Sequence, residues 1–144
     1  MFNIEFIREP QIEFGELAAR GRISLGDFSE EFVSPVVFWT VDDYRMQWCE
    51  AAERLLNGYE MSCFVAAMRE SPLDGPLFLW PAYKEGEAVH FQYQLLLPEL
   101  VTGSFDAMNP YAQVSERQTL SDDGEPISEW QVSIGDISRF LHAG

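Results

Sequence analysis

Apolar and polar positions alternate at the start of the chain, in the sequence FNIEF at residues 2–6. This period of two predicts a half-buried strand, which we expect to end at Pro10. Segment 15–21, with a glycine at each end, predicts a turn or a short helical link, and the alternation at 23–25 predicts a second short strand. The acid-rich segment 27–35 is expected to be irregular.

The best-marked element is a helix from about residue 41 to residue 57. Thr40 followed three residues later by Asp43 forms a capping box, and Asn57-Gly58 provides a C-terminal stop. Apolar residues recur at helical spacing, so they should share one face that packs on a sheet. These residues are Tyr44, Trp48, Ala51, Ala52 and Leu55.

The middle of the chain predicts further strands. Apolar residues occupy both alternating faces over residues 61–68, which indicates a strand in the middle of a sheet. Segments 77–83 and 89–97 flank the charged turn KEGE at 84–87, and this arrangement predicts a long antiparallel hairpin. In its second arm we expect Val89, Phe91, Tyr93 and Leu95 to face the core, and His90, Gln92 and Gln94 to face water.

A second hairpin is predicted near the C-terminus. Its arms are 111–120 and 127–132, and they flank the polar turn SDDGEP at 121–126. Ser133 with Asp136 forms another capping box, which predicts a short closing helix with the apolar stripe Ile137, Phe140 and Leu141.

These elements define the expected fold class. The chain contains no internal repeat and no linker that would divide it, so we predict one α+β domain over residues 1–144. Its core is a mainly antiparallel sheet packed by the main helix at about 41–57 and by the short C-terminal helix.

Charge narrows the range of partners. The chain carries 24 Asp and Glu against 9 Lys and Arg, a net charge of -15 on 144 residues, yet 47% of its residues are hydrophobic. A disordered acidic tail would lack these hydrophobic residues, so we expect a folded domain with a negative surface. The electric field of a negative surface repels nucleic acid and anionic membranes and attracts cationic proteins. A high net charge can also serve only to keep a protein soluble.

The sequence offers little catalytic chemistry. His90 lies on the polar side of a predicted strand and His142 is close to the C-terminus, and none of the familiar nucleotide-binding, metal-binding or hydrolase motifs is present. Pairs of acidic residues could act as general acid and base, as they do in glycoside hydrolysis, but such pairs arise readily on so acidic a surface. We therefore expect a non-enzymatic protein without cofactor or metal.

Cellular location can also be inferred. Cys49 and Cys63 lie in apolar surroundings without metal-binding spacing, which favours two reduced thiols. The chain has no run of apolar residues long enough for a membrane span and no apolar leader. We expect a cytoplasmic protein.

Residues 21–56, GRISLGDFSEEFVSPVVFWTVDDYRMQWCEAAERLL, resemble bacterial contact-dependent growth inhibition (CDI) immunity proteins. The similar features are a short strand followed by Gly26-Asp27-Phe28, then Glu31-Phe32, Trp39, and a helix containing Tyr44, Gln47-Trp48 and Arg54-Leu55. The resemblance implies a cytoplasmic antidote that binds the C-terminal toxin domain of a large secreted effector and blocks it. We expect one antidote to bind one toxin domain.

Toxins of this kind are commonly nucleases, whose substrate demands a basic groove that an acidic protein could block. The alternative is an acidic adaptor domain for some other basic protein. Local chemistry suggests contact residues of two kinds, acids on loops and aromatic anchors. The candidate partner-binding residues are Asp27, Glu30, Glu31, Trp39, Asp122, Asp123, Glu125 and Trp130.

Overall fold

The computed structural model describes residues 1–100 and 105–143. The first sheet is antiparallel and follows chain order: β1 (Phe2–Glu13), β2 (Glu16–Leu25) and β3 (Phe28–Pro35). Helix α1 (Val41–Leu56) then leads into a second antiparallel sheet. Its strands are β4 (Met61–Ala67), β5 (Leu77–Glu85), β6 (Ala88–Phe91), β7 (Gln94–Leu96) and β8 (Trp130–Ser133).

In the second sheet the strand order is β4-β5-β6-β8, and β7 pairs with β5 beyond the end of β6. Helix α2 (Ile134–His142) closes the fold. Two helices with antiparallel sheets confirm the predicted α+β class. Within the described residues, neither helix is long and apolar enough to cross a bilayer.

Both predicted capping boxes are present. In α1 the Asp43 N–H donates to Thr40 Oγ1 (3.1 Å), and the Thr40 N–H donates to the Asp43 carboxylate (2.8 Å). Ser133 and Asp136 make the same pair of bonds at α2, each at 3.0 Å. The predicted apolar face of α1 is buried at all five positions. The helix predictions are confirmed because capping and periodicity are local signals.

The prediction for the N-terminal segment was wrong beyond residue 10. Strand β1 continues past Pro10, which an edge strand tolerates, and turns at Phe14-Gly15, where both residues have positive φ. Gly21 lies inside β2 rather than in a turn. A Cβ atom at Gly21 would overlap the ring of Phe32, so the glycine serves close packing between strands.

Segment 27–35 is also not irregular, because β3 pairs with β2 along its whole length, from Leu25 opposite Phe28 to Ala18 opposite Pro35. The adjacent acids Glu30 and Glu31 hide its alternation in the sequence. An edge strand accommodates such charges since one side of it lacks a partner strand.

Strand β4 is fully buried after Met61, as predicted, but it lies at the edge of its sheet rather than in the middle. Its outer side is covered by α1 instead of a strand. The Trp48 indole N–H donates to the Val65 carbonyl (2.8 Å), and the Tyr44 hydroxyl accepts from the Met68 N–H (3.0 Å). A helix can therefore bury an edge strand as completely as a neighbouring strand does.

The predicted face with His90, Gln92 and Gln94 is not a wet surface. Segment 113–118 runs across it, and Gln92 and Gln94 donate to the Gln118 and Gln113 carbonyls at 2.8 and 3.1 Å. The amides satisfy backbone groups of the covering segment, so polar residues face a buried side here.

The second hairpin is much shorter than predicted. A 3₁₀ turn at Pro110–Gln113 and coil replace the arm at 111–120, and β8 begins only at Trp130 and pairs with β6. The polar turn itself is present, closed by a bridge between Leu120 and Pro126. This segment instead crosses the sheet, where Tyr83, Gln92 and Gln94 donate hydrogen bonds to the Ser115, Gln118 and Gln113 carbonyls.

The two sheets share one core, in which aromatic rings form the contact. The Phe2 ring of β1 lies 5.1 Å from Phe64 of β4 and 5.2 Å from Phe91 of β6, and it also meets Phe140 of α2 at 5.0 Å. The first sheet covers only part of the second, which leaves a groove beyond β3.

Candidate functional site: an aromatic groove beside strand β3

A groove of about 690 Å³ lies between β3 and the second sheet. Phe78, Trp80, Tyr93 and Trp130 provide its aromatic surface, and β3 provides a wall that contains Glu30, Glu31 and Phe32. Its volume falls within the range of about 300–1,000 Å³ that is typical of ligand pockets. The groove is therefore large enough for several residues of a partner.

The aromatic surface follows from strand register. Ala82 pairs with Phe91 and Phe78 pairs with Leu95, so Tyr93 continues the row of Phe91 along one face of the sheet. Phe91 is buried, whereas Tyr93 is 47% exposed. The row thus passes from the core into the open groove.

The aromatic side chains support one another. Trp80 meets Tyr93 edge to face with 5.1 Å between ring centroids, and Trp130 lies 5.8 Å from Trp80. Trp130 also stacks on Phe28 of β3 at 4.3 Å, which joins the two sheets at this end of the groove. Such contacts hold the rings in place without a bound partner.

Glu30 occupies an unusual position on β3. It lies directly opposite Ile23, which in turn lies opposite Ile4, so all three residues belong to the core-facing row of the first sheet. In the described residues, no cationic side chain forms an ion pair with Glu30. The groove wall therefore contains a carboxylate whose charge the chain does not compensate locally.

Glu31, the next residue, faces the other way. Its carboxylate lies 3.6 Å from a guanidinium nitrogen of Arg20 and 3.7 Å from one of Arg22. Arg20 is further engaged by Glu13 at 2.5 Å, and this bond lowers the pKa of Glu13. Arg20 itself lines the groove, and it is already paired with the chain's own acids.

Two of the aromatic side chains also have polar groups in an unusual environment, namely the Tyr93 hydroxyl and the Trp80 indole N–H. Burial raises the pKa of Tyr93 to about 12, and the negative charge of Glu30 adds to this rise, so Tyr93 remains a neutral hydroxyl at physiological pH. The Trp80 indole N–H is buried and has no acceptor among the described residues. Buried donors of this kind normally have a partner.

The structure brings three of the eight candidate residues to this groove, namely Glu30, Glu31 and Trp130. Asp27 lies exposed in the β2–β3 turn. Asp122, Asp123 and Glu125 are exposed at the 121–126 turn, which leads directly into Ile127 and Ser128 at the rim of the groove.

Trp39 differs from the exposed anchor that the sequence suggested. It is only 8% exposed and packs against Tyr44 at 5.2 Å. One side of it lines a separate, smaller pocket of about 160 Å³ together with Met46 and Met108. Its main contacts are those of a core residue.

Sequence reasoning missed Phe78, Trp80 and Tyr93 as groove residues because alternation assigned such residues to the core. Alternation does identify the face on which a residue lies, but it cannot show where the covering sheet ends. One usable signal was the aromatic content of the whole chain, with 4 Trp, 5 Tyr and 11 Phe among 144 residues.

The described residues contain no group of three or more His, Cys, Asp or Glu side chains that could hold a metal ion. Burial raises the pKa of the Cys63 thiol to about 12, so it stays protonated. His90 faces Glu129, with 3.8 Å between Nδ1 and the carboxylate. The groove is the feature of the described surface best suited to binding another molecule.

An acidic α+β protein with an open aromatic groove has the features of a domain that binds a protein partner. Residues 34–140 match the family model described as the CdiI N-terminal domain, and the chain belongs to this family of immunity proteins of contact-dependent growth inhibition. The family resemblance seen in the sequence is thereby confirmed.

Two relatives cover nearly the whole chain. Immunity protein CdiI from Enterobacter cloacae subsp. cloacae is 29% identical over 143 residues, which span 99% of this chain and 98% of that protein. In the solved structure of the CdiA-CT/CdiI toxin and immunity complex from Enterobacter cloacae, one chain is 30% identical with a TM-score of 0.88. The match covers 99% of this chain and 97% of that one.

Proposed function

We propose that this protein binds the C-terminal toxin domain of its cognate contact-dependent growth inhibition effector, one to one, and neutralises it in the cytoplasm of the producing cell. The observation that carries the proposal is family membership along most of the chain, together with a relative of similar fold that was solved with a toxin. The protein acts by binding and needs no cofactor.

We further propose that the toxin domain is cationic and is a nuclease. A nuclease must bind phosphate groups and so needs a basic surface. A net charge of -15 provides the complementary field, which can raise association rates by about 10- to 1,000-fold. In this proposal the acidic protein covers the surface that would otherwise bind the nucleic acid.

The contact surface is proposed to centre on the groove beside β3. Aromatic residues dominate the energy of many interfaces, whereas surrounding charges mostly set the association rate and the specificity. The groove combines both, with Trp130 and Tyr93 on its surface and Glu30 on its wall, whereas the neighbouring Glu31 carboxylate is paired with Arg20 and Arg22. The acidic turn at 121–126 would add charge at the rim.

The test is a binding and protection experiment with the toxin domain encoded immediately upstream. Calorimetry should give one toxin domain per chain, and co-expression should restore growth of cells that produce the toxin. The association rate should fall at least about tenfold between low and high salt, since exposed charges are screened within about 8 Å at physiological ionic strength.

Absence of binding to that toxin domain, with binding to a different basic protein, would instead support the adaptor alternative. Binding that is tight but independent of salt would contradict the electrostatic part of the proposal alone.

A further inference from the structure

We propose that the groove beside β3 is an arginine-binding site, in which Glu30 pairs with a guanidinium group presented by an extended segment of the protein partner. This inference rests on the proposed function, because it specifies what the toxin domain places in the groove.

The position of Glu30 is the first argument. It lies in the core-facing row of β3, between Phe28 and Phe32, and opposite the fully buried Ile23. The Glu30 carboxylate is exposed to the groove, with apolar neighbours on its own row and no cation of the chain paired with it, so it is free to form a charge-assisted bond with a guanidinium that enters the groove. Glu31 already has Arg20 and Arg22 as partners, and this difference singles out Glu30.

The aromatic surface selects the type of cation. Trp80 and Tyr93 meet at an interplanar angle of 67°, and Phe78 stacks on Tyr93 with 5.8 Å between centroids, so several ring faces and edges border the groove. A planar guanidinium stacks on aromatic rings and bonds a carboxylate through two N–H groups at once. A lysine ammonium can do neither as well and is more strongly hydrated.

The size of the groove indicates that a segment of backbone enters with the side chain. Its volume of about 690 Å³ exceeds the needs of one side chain.

The first experiment compares Glu30→Gln with Glu31→Gln. Both variants remove one negative charge from adjacent positions, so they alter the overall field equally. We expect Glu30→Gln to weaken the affinity for the toxin domain by about 30-fold or more, mainly through faster dissociation, because it removes one partner of a desolvated charge pair. Glu31→Gln should change affinity by less than about threefold. Equal effects of the two variants would overturn the inference and leave the proposed function intact.

The second experiment does not need the toxin. Short capped peptides Gly-Arg-Gly and Gly-Lys-Gly are titrated into ¹⁵N-labelled protein while the indole N–H signals are followed by NMR. The arginine peptide should shift the Trp80 and Trp130 signals, the lysine peptide should shift them less, and Glu30→Gln should abolish the difference.

Equal shifts with both peptides, or none at these indoles, would contradict an arginine site. If the wild-type protein fails to bind the toxin domain but the arginine peptide still acts through Glu30, the proposed function fails and the groove assignment stands.

Discussion

The side-chain amide of Gln47 in α1 takes the place of a neighbouring strand beside Val65 in β4. Its Nε2 donates to the Cys63 carbonyl at 2.8 Å, and its Oε1 accepts from the Val65 N–H at 2.9 Å. Gln47 is 7% exposed, so these bonds are made away from water. One amide thus satisfies two backbone groups that an edge strand would otherwise leave without partners.

Replacing Gln47 by Leu should strongly destabilise the protein. The variant leaves the Cys63 carbonyl and the Val65 N–H buried without partners, at about 1–3 kcal/mol each, so the free energy of unfolding should fall by about 2–6 kcal/mol. Chemical denaturation measures this change. The control is Met46→Ala on the exposed side of the same helix, which should change the free energy of unfolding by less than about 0.5 kcal/mol. Similar losses in both variants would contradict a special role for the amide.

The two thiols should react very differently. Cys49 is exposed, whereas Cys63 is buried with its pKa raised to about 12 by desolvation. A thiol reagent at pH 8 should therefore modify one cysteine per native chain rapidly, and two per chain after denaturation, since only the thiolate is reactive. Cys49→Ser should abolish the rapid phase. Fast modification of Cys63 in that variant would show that β4 opens readily.

Asp136 should make folding stability depend on acidity. The Ser133 backbone N–H, bonded at 3.0 Å, and then Arg139 at 2.5 Å, lower the pKa of this carboxyl from an ordinary 3.8 to about 2. A lowered pKa in the folded state stabilises the protein fully above the ordinary pKa, and this contribution is lost as the pH falls through the interval from about 4 to about 2.

The measurement compares Asp136→Asn with the wild type. The difference in their free energies of unfolding should be largest at pH 6 and should shrink by pH 3. Asp123→Asn, at an exposed turn, serves as the control and should show a small difference at both values. A difference for Asp136→Asn that stays constant with pH would contradict the assignment.

The two acidic segments should affect binding in different ways. Replacing Asp122, Asp123 and Glu125 by Lys should slow association with the toxin domain and leave the dissociation rate unchanged, because these side chains lie at the rim of the groove. Reversing Asp27, Glu30 and Glu31 should also speed dissociation, since it places a like charge in the groove. Stopped-flow and surface-binding kinetics separate the two rates, and melting temperatures check folding. Wild-type kinetics in both variants would exclude this side of the protein as the contact.

The elements that sequence predicted well are those with local signals. The ends of α1 follow from Thr40 and from Asn57, and the buried face follows from the spacing of residues such as Tyr44 and Trp48. Capping and helical periodicity involve residues within a few positions of each other, so no knowledge of the rest of the chain is needed.

The predictions that failed depend on distant partners. Nothing near β4 in the sequence shows that Gln47 would satisfy its outer side, and nothing near Gly21 shows that the ring of Phe32 would lie against it. The groove belongs to the same class, because Glu30 and Trp130 come together only through the arrangement of both sheets. Their residue types identified both as candidate contact residues, but only the structure shows that they line the same groove.

The hydrogen bonds from α1 to β4 also bear on aggregation. An exposed strand edge is a template on which another chain can add a strand, and many sheet proteins must guard against it. Along the outer side of β4, the Val65 N–H and the Cys63 and Val65 carbonyls are already bound to helix side chains. A foreign strand could reach them only after α1 had left the sheet. Self-association along this edge is therefore coupled to partial unfolding, in which α1 first separates from β4.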